Sequence, residues 1–564
     1  MLLTTVFIVQ VVVHRRVRRM EAWEGTLASL AQEGLLRLDR DWEGLEAALP
    51  AAERASEVNP PGHPYAGDLS VVGQMSLVRL AGPVTSERGR AILRSWLLEP
   101  GDVAIVEARH GAGRELAALS EIRTHFAALG RLYGPKSLEG LARFFAWAEE
   151  DSRDTRRPLL GTAAWVLPPL LVAGLVGYFA FGWPPWWLAP TVAHFEILRR
   201  HAARMRKAFT ESVLGGPPLR ALVPQLDFLS KHQWKDPTLA ALAARLGHGD
   251  EAARKHLERL SRLLDSVESR RNAMYAMTAP ILLLDIHLCS ALDRWRTAHG
   301  SAARDWLEAL GEWEALAALA TYAYDHPDWA YPTFQKGEAP QLTAQALGHP
   351  LLPPSECVRN DVSVGPPGTF LFVTGSNMSG KSTLLRALGA NAVLGAAGAP
   401  VCAESFSLPP VRVHTSMRIE DSLAEGISLF MAELLRIKVV VEAAAADEAR
   451  RPVLYLLDEI LHGTNSAERR IAARAVVRHL LASDAIGAVS SHDLALAEAA
   501  DLRSAAHTVH FREEVESGEG DRSSAVLTFD YRLREGVATT RNALKLLGVV
   551  GLGGLDVRTE EEEG

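Results

Sequence analysis

Cysteine is scarce in this chain: 564 residues hold three, Cys289, Cys357 and Cys402. They are odd in number, far apart and without metal-ligand spacing. That excludes a disulfide scaffold and a cysteine-held zinc site, and points to a reduced, cytosol-facing setting. A basic excess is also missing. The formal net charge is −8, and residues 361–564 carry 20 Lys+Arg against 28 Asp+Glu, so the last third holds all the net acidity. A strongly basic nucleic-acid binder is thereby excluded, and any DNA contact must rest on a local patch. Apolar residues are not lacking: 48% apolar with 23% charged rules out disorder or collagen as the main architecture. At roughly 100–200 residues per domain, the length suggests several units.

Charge is absent from residues 158–195, 38 positions without Asp, Glu, Lys or Arg. Residues 159–181 alone would make a helix of about 34 Å, enough for a hydrocarbon core of about 30 Å. Trp183, Trp186 and Trp187 follow like an interfacial belt, and both flanks are basic: Arg156 and Arg157 before, Arg199, Arg200, Arg204, Arg206 and Lys207 after. Basic flanks on both sides predict a hairpin or re-entrant loop that enters the membrane and returns, leaving both flanks cytoplasmic. The alternative is a buried helical hairpin in a soluble core. The return leg, residues 186–198, contains Pro190 and Glu196 and is short for a span. Residues 1–13 are apolar and precede the basic His14-Arg15-Arg16-Val17-Arg18-Arg19. They read as a short anchor, or the remnant of a longer one, against the alternative of a buried strand or helix turn. Residues 277–288 are apolar but interrupted by Asp285, and read as a buried helix.

Elsewhere up to about residue 325 apolar residues recur at helical spacing, as in Leu77, Leu80, Ile92, Leu93, Trp96 and Leu97. After a proline-rich stretch the pattern becomes short apolar strands alternating with helices, the mark of an α/β sheet. The expected fold class is therefore α + α/β.

The chemistry concentrates in that last part. The strand-like TFLFVT of residues 369–374 runs into Gly375-Ser376-Asn377-Met378-Ser379-Gly380-Lys381-Ser382-Thr383, and a helix-like run follows. This matches G-x-x-x-x-G-K-[ST]. The glycines let backbone N–H groups converge on phosphate oxygens, and the helix N-terminus adds partial positive charge. Lys381 is placed to reach the β- and γ-phosphates, and Ser382 to ligate Mg²⁺. A second apolar strand ends in Asp458-Glu459, which suit holding Mg²⁺ and orienting or deprotonating the attacking water. After a further strand, in Ser490-Ser491-His492, His492 can contact a γ-phosphate. ATP and Mg²⁺ are the expected ligands, and Glu459, Lys381 and His492 the expected catalytic groups.

These motifs resemble the ATPase of the MutS family of DNA mismatch-repair proteins. The phosphate loop is similar down to its Asn-Met pair. Asp458-Glu459-Ile460-Leu461-His462-Gly463-Thr464-Asn465-Ser466 is similar to that family's second acidic motif, and Gly426-Ile427-Ser428-Leu429-Phe430-Met431-Ala432-Glu433 to its signature segment. The resemblance implies that Ser428 completes the nucleotide site of the opposite subunit, and hence a homodimer with shared ATP sites. It reaches weakly upstream, through 85–98, Glu107-Ala108-Arg109, Gly348-His349-Pro350 and Asn360-Asp361. There are departures. No N-terminal mismatch-reading domain with its Phe-x-Glu wedge is found, no clear β-rich clamp insertion lies between 200 and 325, and the aromatic that would stack on adenine is replaced near Cys357.

The expected organisation is an anchor with its basic flank (1–20), the first part of a MutS-like helical core (21–157), the membrane hairpin (158–195), the second part of the core (196–355), the ATPase (356–552) and an acidic tail (553–564). Function is expected to be that of a membrane-associated, ATP-dependent protein acting on mismatched or branched DNA, with the core and ATPase on the cytoplasmic side of the cell membrane. The alternative is a membrane-tethered ATPase that remodels a protein or lipid partner.

Overall fold

The computed structural model describes residues 2–537 except 52, 55–58, 135–139, 151–157, 248–251, 336–338, 377, 418–428, 447–450, 462–465 and 517–525. Up to Asp325 the described residues form helices joined by turns. The spine is the helix Leu284–Asp325, 42 residues long. Its Trp295, Trp306, Leu310 and Trp313 are buried in one core with Phe126, Phe144, Leu239 and Leu260 from the surrounding helices. On its last turns Ala315, Ala318, Leu319 and Tyr322 belong to a different core, shared with Leu69, Leu77 and Leu93 and with Leu384, Leu388 and Leu454 of the sheet domain, while Leu316, Ala317 and Ala320 stay in the first. The helical body and the sheet domain are thus fused through common apolar packing. Polar contacts reinforce the joint. The buried Asp68 accepts from Thr415 Oγ1 at 2.6 Å and from Met417 N at 3.2 Å, and Arg109 donates to Ala397 O at 3.1 Å.

The strands are β1 (Thr333–Phe334), β2 (Leu342–Leu347), β3 (Asn360–Val364), β4 (Phe370–Thr374), β5 (Ser405–Leu408), β6 (Arg412–Ser416), β7 (Val453–Leu457), β8 (Ile486–Ser490), β9 (Ala506–Glu516) and β10 (Val526–Glu535). They form a four-stranded sheet, β1-β5-β2-β3, and a six-stranded sheet, β10-β9-β4-β8-β7-β6. In the larger sheet β9, β4, β8, β7 and β6 run parallel, and β10 closes the edge antiparallel to β9. Every residue of β4, β7 and β8 is buried, as expected for parallel strands covered on both faces. One face packs into the core shared with the body, and the other onto the helices Leu429–Ala445 and Ser466–Leu481.

The uncharged segment forms a helical hairpin: Pro158–Phe181, a turn, then Leu188–Ala221. The legs pack closely, with an added Cβ on Gly174 falling 3.0 Å from Trp187 Cα. The return leg is not the short piece expected from residues 186–198 but the first turns of a 34-residue helix that continues into the body. The hairpin is not covered by the rest of this chain: Trp165 is 74% exposed, Phe179 80% and Phe195 68%. Within it, Thr162–Phe181 is long and apolar enough to cross a membrane, with 22% of its most apolar window buried.

Residues 277–288 do not form the single buried helix expected of them. Leu283 adopts a left-handed conformation (φ 51°) and ends the helix Ala273–Leu282, which meets the spine at 84°. Asp285 is half-buried, paired with Arg270 and accepting from Tyr275 Oη. Leu283, Ile286 and Leu288 turn inward, while Met274 and Met277 are each 71% exposed beside the hairpin. At the N-terminus, Leu2–Asp39 is one helix of 38 residues. Leu3, Phe7, Ile8 and Val12 are exposed along it, neither strand nor buried turn. Its second half packs Leu30 against Ala127 and Ala128.

Candidate active site

The glycine loop lies between β4 and the helix Lys381–Ala397. Gly375 (φ 140°) and Gly380 (φ 111°) take conformations that disfavour side chains, and a Cβ on Gly375 would come within 2.8 Å of Ser379 Oγ. The helix starts without a side-chain cap, so its first N–H groups are left for a ligand. Ser376 Oγ and Ser379 Oγ are buried without a hydrogen-bond partner, as loop hydroxyls facing a missing acceptor would be. Lys381 is buried, and its ammonium donates to Gly375 O at 3.0 Å and Ser376 O at 2.8 Å. Burial lowers its pKa, and the nearby Glu459 and Asp458 oppose that. Ser382 and Thr383 are half-buried on the helix's first turn, and Met378 is exposed. Asn377 lies outside the described residues.

The strand order assembles the rest. β8 lies between β4 and β7, so whatever follows β8 stands between the glycine loop and the Asp458-Glu459 pair. Ser490 ends β8. Its hydroxyl donates to Asp458 Oδ1 and accepts from Glu459 N at 3.0 Å. Two residues on, His492 Nε2 lies 2.7 Å from Glu459 Oε1 and 3.5 Å from Lys381 Nζ. A protonated Nε2 can donate to Glu459 and a bare one can accept from Lys381, but one nitrogen cannot do both. Glu459 itself has φ 48° and Leu461 φ 60°, strain of the kind stored at functional turns. The turn is tied from behind, where the buried Glu433 accepts from Leu461 N.

The structure therefore brings together Lys381, Asp458, Glu459 and His492. Ser428 and His462–Asn465 lie outside the described residues. Ser490 and the support from Glu433 were missed. The strand order that gives Ser490 its role leaves no trace in local sequence. Cys357 faces away from the loop, against Gly348 and Cys402, since a Cβ on Gly348 would meet both sulfurs within 2.9 Å. Two aromatics lie beside the loop, Tyr531 of β10 and Phe511 of β9, whose rings would lie 3.3 and 3.8 Å from a Cβ on Gly380. Asn360 fixes that strand, donating to Tyr531 O at 3.0 Å and accepting from Leu533 N at 2.8 Å.

Among the described residues no three His, Cys, Asp or Glu side chains form a metal cage. Mg²⁺ needs none, since it is commonly held by one or two protein oxygens together with substrate phosphates. Asp458 and Ser382 are oxygen donors of that kind.

Residues 371–554 match the family model for MutS domain V. The chain is 32% identical over 250 residues to the DNA mismatch repair protein MutS 2 of Halobacterium salinarum, covering 43% of this chain and 27% of that protein. It is 28% identical over 251 residues to the DNA mismatch repair protein MutS of Halalkalibacterium halodurans, covering 42% and 28%. Over 222 residues it is 31% identical to the DNA mismatch repair protein MSH6 of Arabidopsis thaliana, covering 38% and 16%. The matches thus span less than a third of each relative's length. Residues 371–554 are thus similar to domain V of the MutS family.

Proposed function

We propose that this chain is a Mg²⁺-dependent ATP hydrolase seated on the cytoplasmic side of the cell membrane by its apolar hairpin, and that it acts on mismatched or branched DNA. The observation that carries the ATPase reading is the cluster of Lys381, His492, Glu459, Asp458 and Ser490 at the ends of β4, β8 and β7. Lys381 leaves the loop carbonyls for the β- and γ-phosphate oxygens. Glu459 takes a proton from the attacking water, which requires its Oε1 to be released from His492. His492, freed, turns to the γ-phosphate side. Ser490 keeps Asp458 and the Glu459 backbone in register throughout. Ser382 and Asp458 would hold Mg²⁺, which when bound neutralises charge on the phosphates. Tyr531 offers an aromatic surface beside the loop.

The active unit in this reading is a homodimer in which Ser428 closes the partner's site. The test is mixing Lys381→Ala protein with Ser428→Arg protein, each inactive alone. A mixed dimer holds one doubly defective site and one intact site, so activity should recover. No recovery in proven heterodimers would contradict site sharing.

DNA is proposed from the names of the relatives, and the acidic sheet domain weighs against a broad electrostatic footprint. Binding of homoduplex, mismatched and branched DNA across a salt series decides it, since a DNA binder loses affinity steeply with log salt. The exposed hairpin favours a second reading, an ATP-driven lever acting on a membrane protein or lipid assembly. Salt-independent or absent DNA binding would leave that reading standing.

A further inference from the structure

A large cavity lies away from the glycine loop. It lies at the base of the apolar hairpin, has a volume of about 1630 Å³, and draws no lining residue from domain V. Trp165, Pro168 and Val172 of the first hairpin leg line it, together with His201 and Arg204 of the second leg and Asp293 and Arg294 of the spine. Arg294 lies ten residues into the spine from its start at Leu284, about 15 Å along the axis. The cavity therefore combines an apolar wall with charged groups.

The charge of those groups is not balanced. Arg204 pairs with Asp293 at 2.5 Å, and the same carboxylate lies 3.4 Å from Arg296. Arg294 donates through Nε to Ser290 O at 3.3 Å and pairs with no carboxylate among the described residues. A guanidinium with open donors is suited to a phosphate. The volume exceeds the roughly 300–1,000 Å³ usual for small-molecule sites, and a space of this size with an apolar wall suits chains more than a compact anion.

We propose that this cavity binds an anionic phospholipid, its acyl chains along Trp165, Pro168 and Val172 and its phosphate on Arg294, with His201 beside it. The proposal rests on the membrane-seated hairpin and is independent of the ATPase reading. It gives the membrane contact a headgroup preference and puts it on the helix that reaches the core shared with the sheet domain.

The experiment uses the purified full chain and short-chain phosphatidylglycerol below its aggregation concentration, with binding read by calorimetry and native mass spectrometry. One lipid per chain is expected, with short-chain phosphatidylcholine weaker by about tenfold or more. Arg294→Glu and the milder Arg294→Gln should both weaken phosphatidylglycerol, and Val172→Trp should block it by filling the cavity. Unchanged thermal midpoints exclude misfolding as the cause. Equal affinity for the two lipids, indifference to both Arg294 variants, or full competition by glycerol phosphate alone overturns the proposal. The last result would mark a free-anion site. Vesicle flotation separates the two claims. A chain that binds short-chain lipid but floats with no vesicle refutes the membrane seat alone. One that floats with every vesicle alike, unaffected by Arg294 changes, refutes the headgroup site alone.

Discussion

The strands β4, β7 and β8 and the helix Pro158–Phe181 are built from the same material and sit in opposite surroundings. Each is an uncharged, mostly apolar run. All residues of the three strands are buried, whereas Trp165, Val176, Phe179 and Phe181 of the helix stand exposed. The strands are five residues long and covered by helices on both faces. The helix is 24 residues long and has only one leg of the hairpin and part of the body against it. An apolar run thus marks a segment that water solvates poorly. Whether the rest of the chain covers it depends on its length and on what the fold can bring alongside.

The sharpest way to break this comparison is to put the same charge in both places. Val489→Asp in β8 buries a carboxylate without a partner and should destabilise the sheet domain by more than about 4 kcal/mol, read as loss of folded protein. Val176→Asp, at an exposed position, should leave the thermal midpoint in place and reduce vesicle association. Equal destabilisation by the two would mean that the hairpin is packed after all.

Within the sheet domain the next effect is smaller. Lys381→Ala removes the buried ammonium at the loop and should weaken nucleotide binding by about ten- to hundredfold, since hydrogen bonds to charged groups contribute about 1.5–3 kcal/mol. Smaller again is Ser490→Ala, which deletes the link between Asp458 and Glu459. A fall in turnover of about tenfold, ~1.4 kcal/mol, is expected, with nucleotide affinity changed less. Unaltered turnover would reduce Ser490 to a bystander.

The mildest effect is on pH dependence. Burial pushes His110, His326, His349 and His414 down to about 4. Their unfolded values lie near 6.5, so between about pH 6.5 and 4 the unfolded chain takes up protons that the folded one refuses. Stability should therefore be fully present above about pH 6.5 and fall as pH is lowered through that window, read as a declining thermal midpoint. A Gln at His349 should flatten the decline.

Much of this was legible in the sequence, for reasons that differ by region. The glycine loop, Asp458 and Glu459 were readable because the chemistry is written in consecutive residues after a strand. His492 was readable as a candidate, but its place between Lys381 and Glu459 follows from β8 lying between β4 and β7, which no local pattern reveals. Ser490 and Tyr531 were hidden for the same reason. The hairpin's first leg was legible from its length and lack of charge. Its second was not, because Glu196, Arg199 and Arg200 interrupt the apolar run while the helix continues through them; Glu196 pairs with both arginines on the same face. The outward helix Ala273–Leu282 was misread because its break is a left-handed backbone conformation at Leu283, three residues past Pro280, while the apolar run continues across it.

The central claim, that Lys381, Asp458 and Glu459 form an ATP-hydrolysing site, is tested most directly by one paired measurement. Nucleotide affinity and Mg²⁺-dependent ATP turnover are determined on the same samples of the full chain and its Glu459→Gln variant. The account predicts turnover by the parent chain, and in the variant near-unchanged ATP affinity with turnover lower by about 10²–10⁴-fold. Full turnover in the variant, or no turnover in the parent chain with Mg²⁺ present, would contradict it.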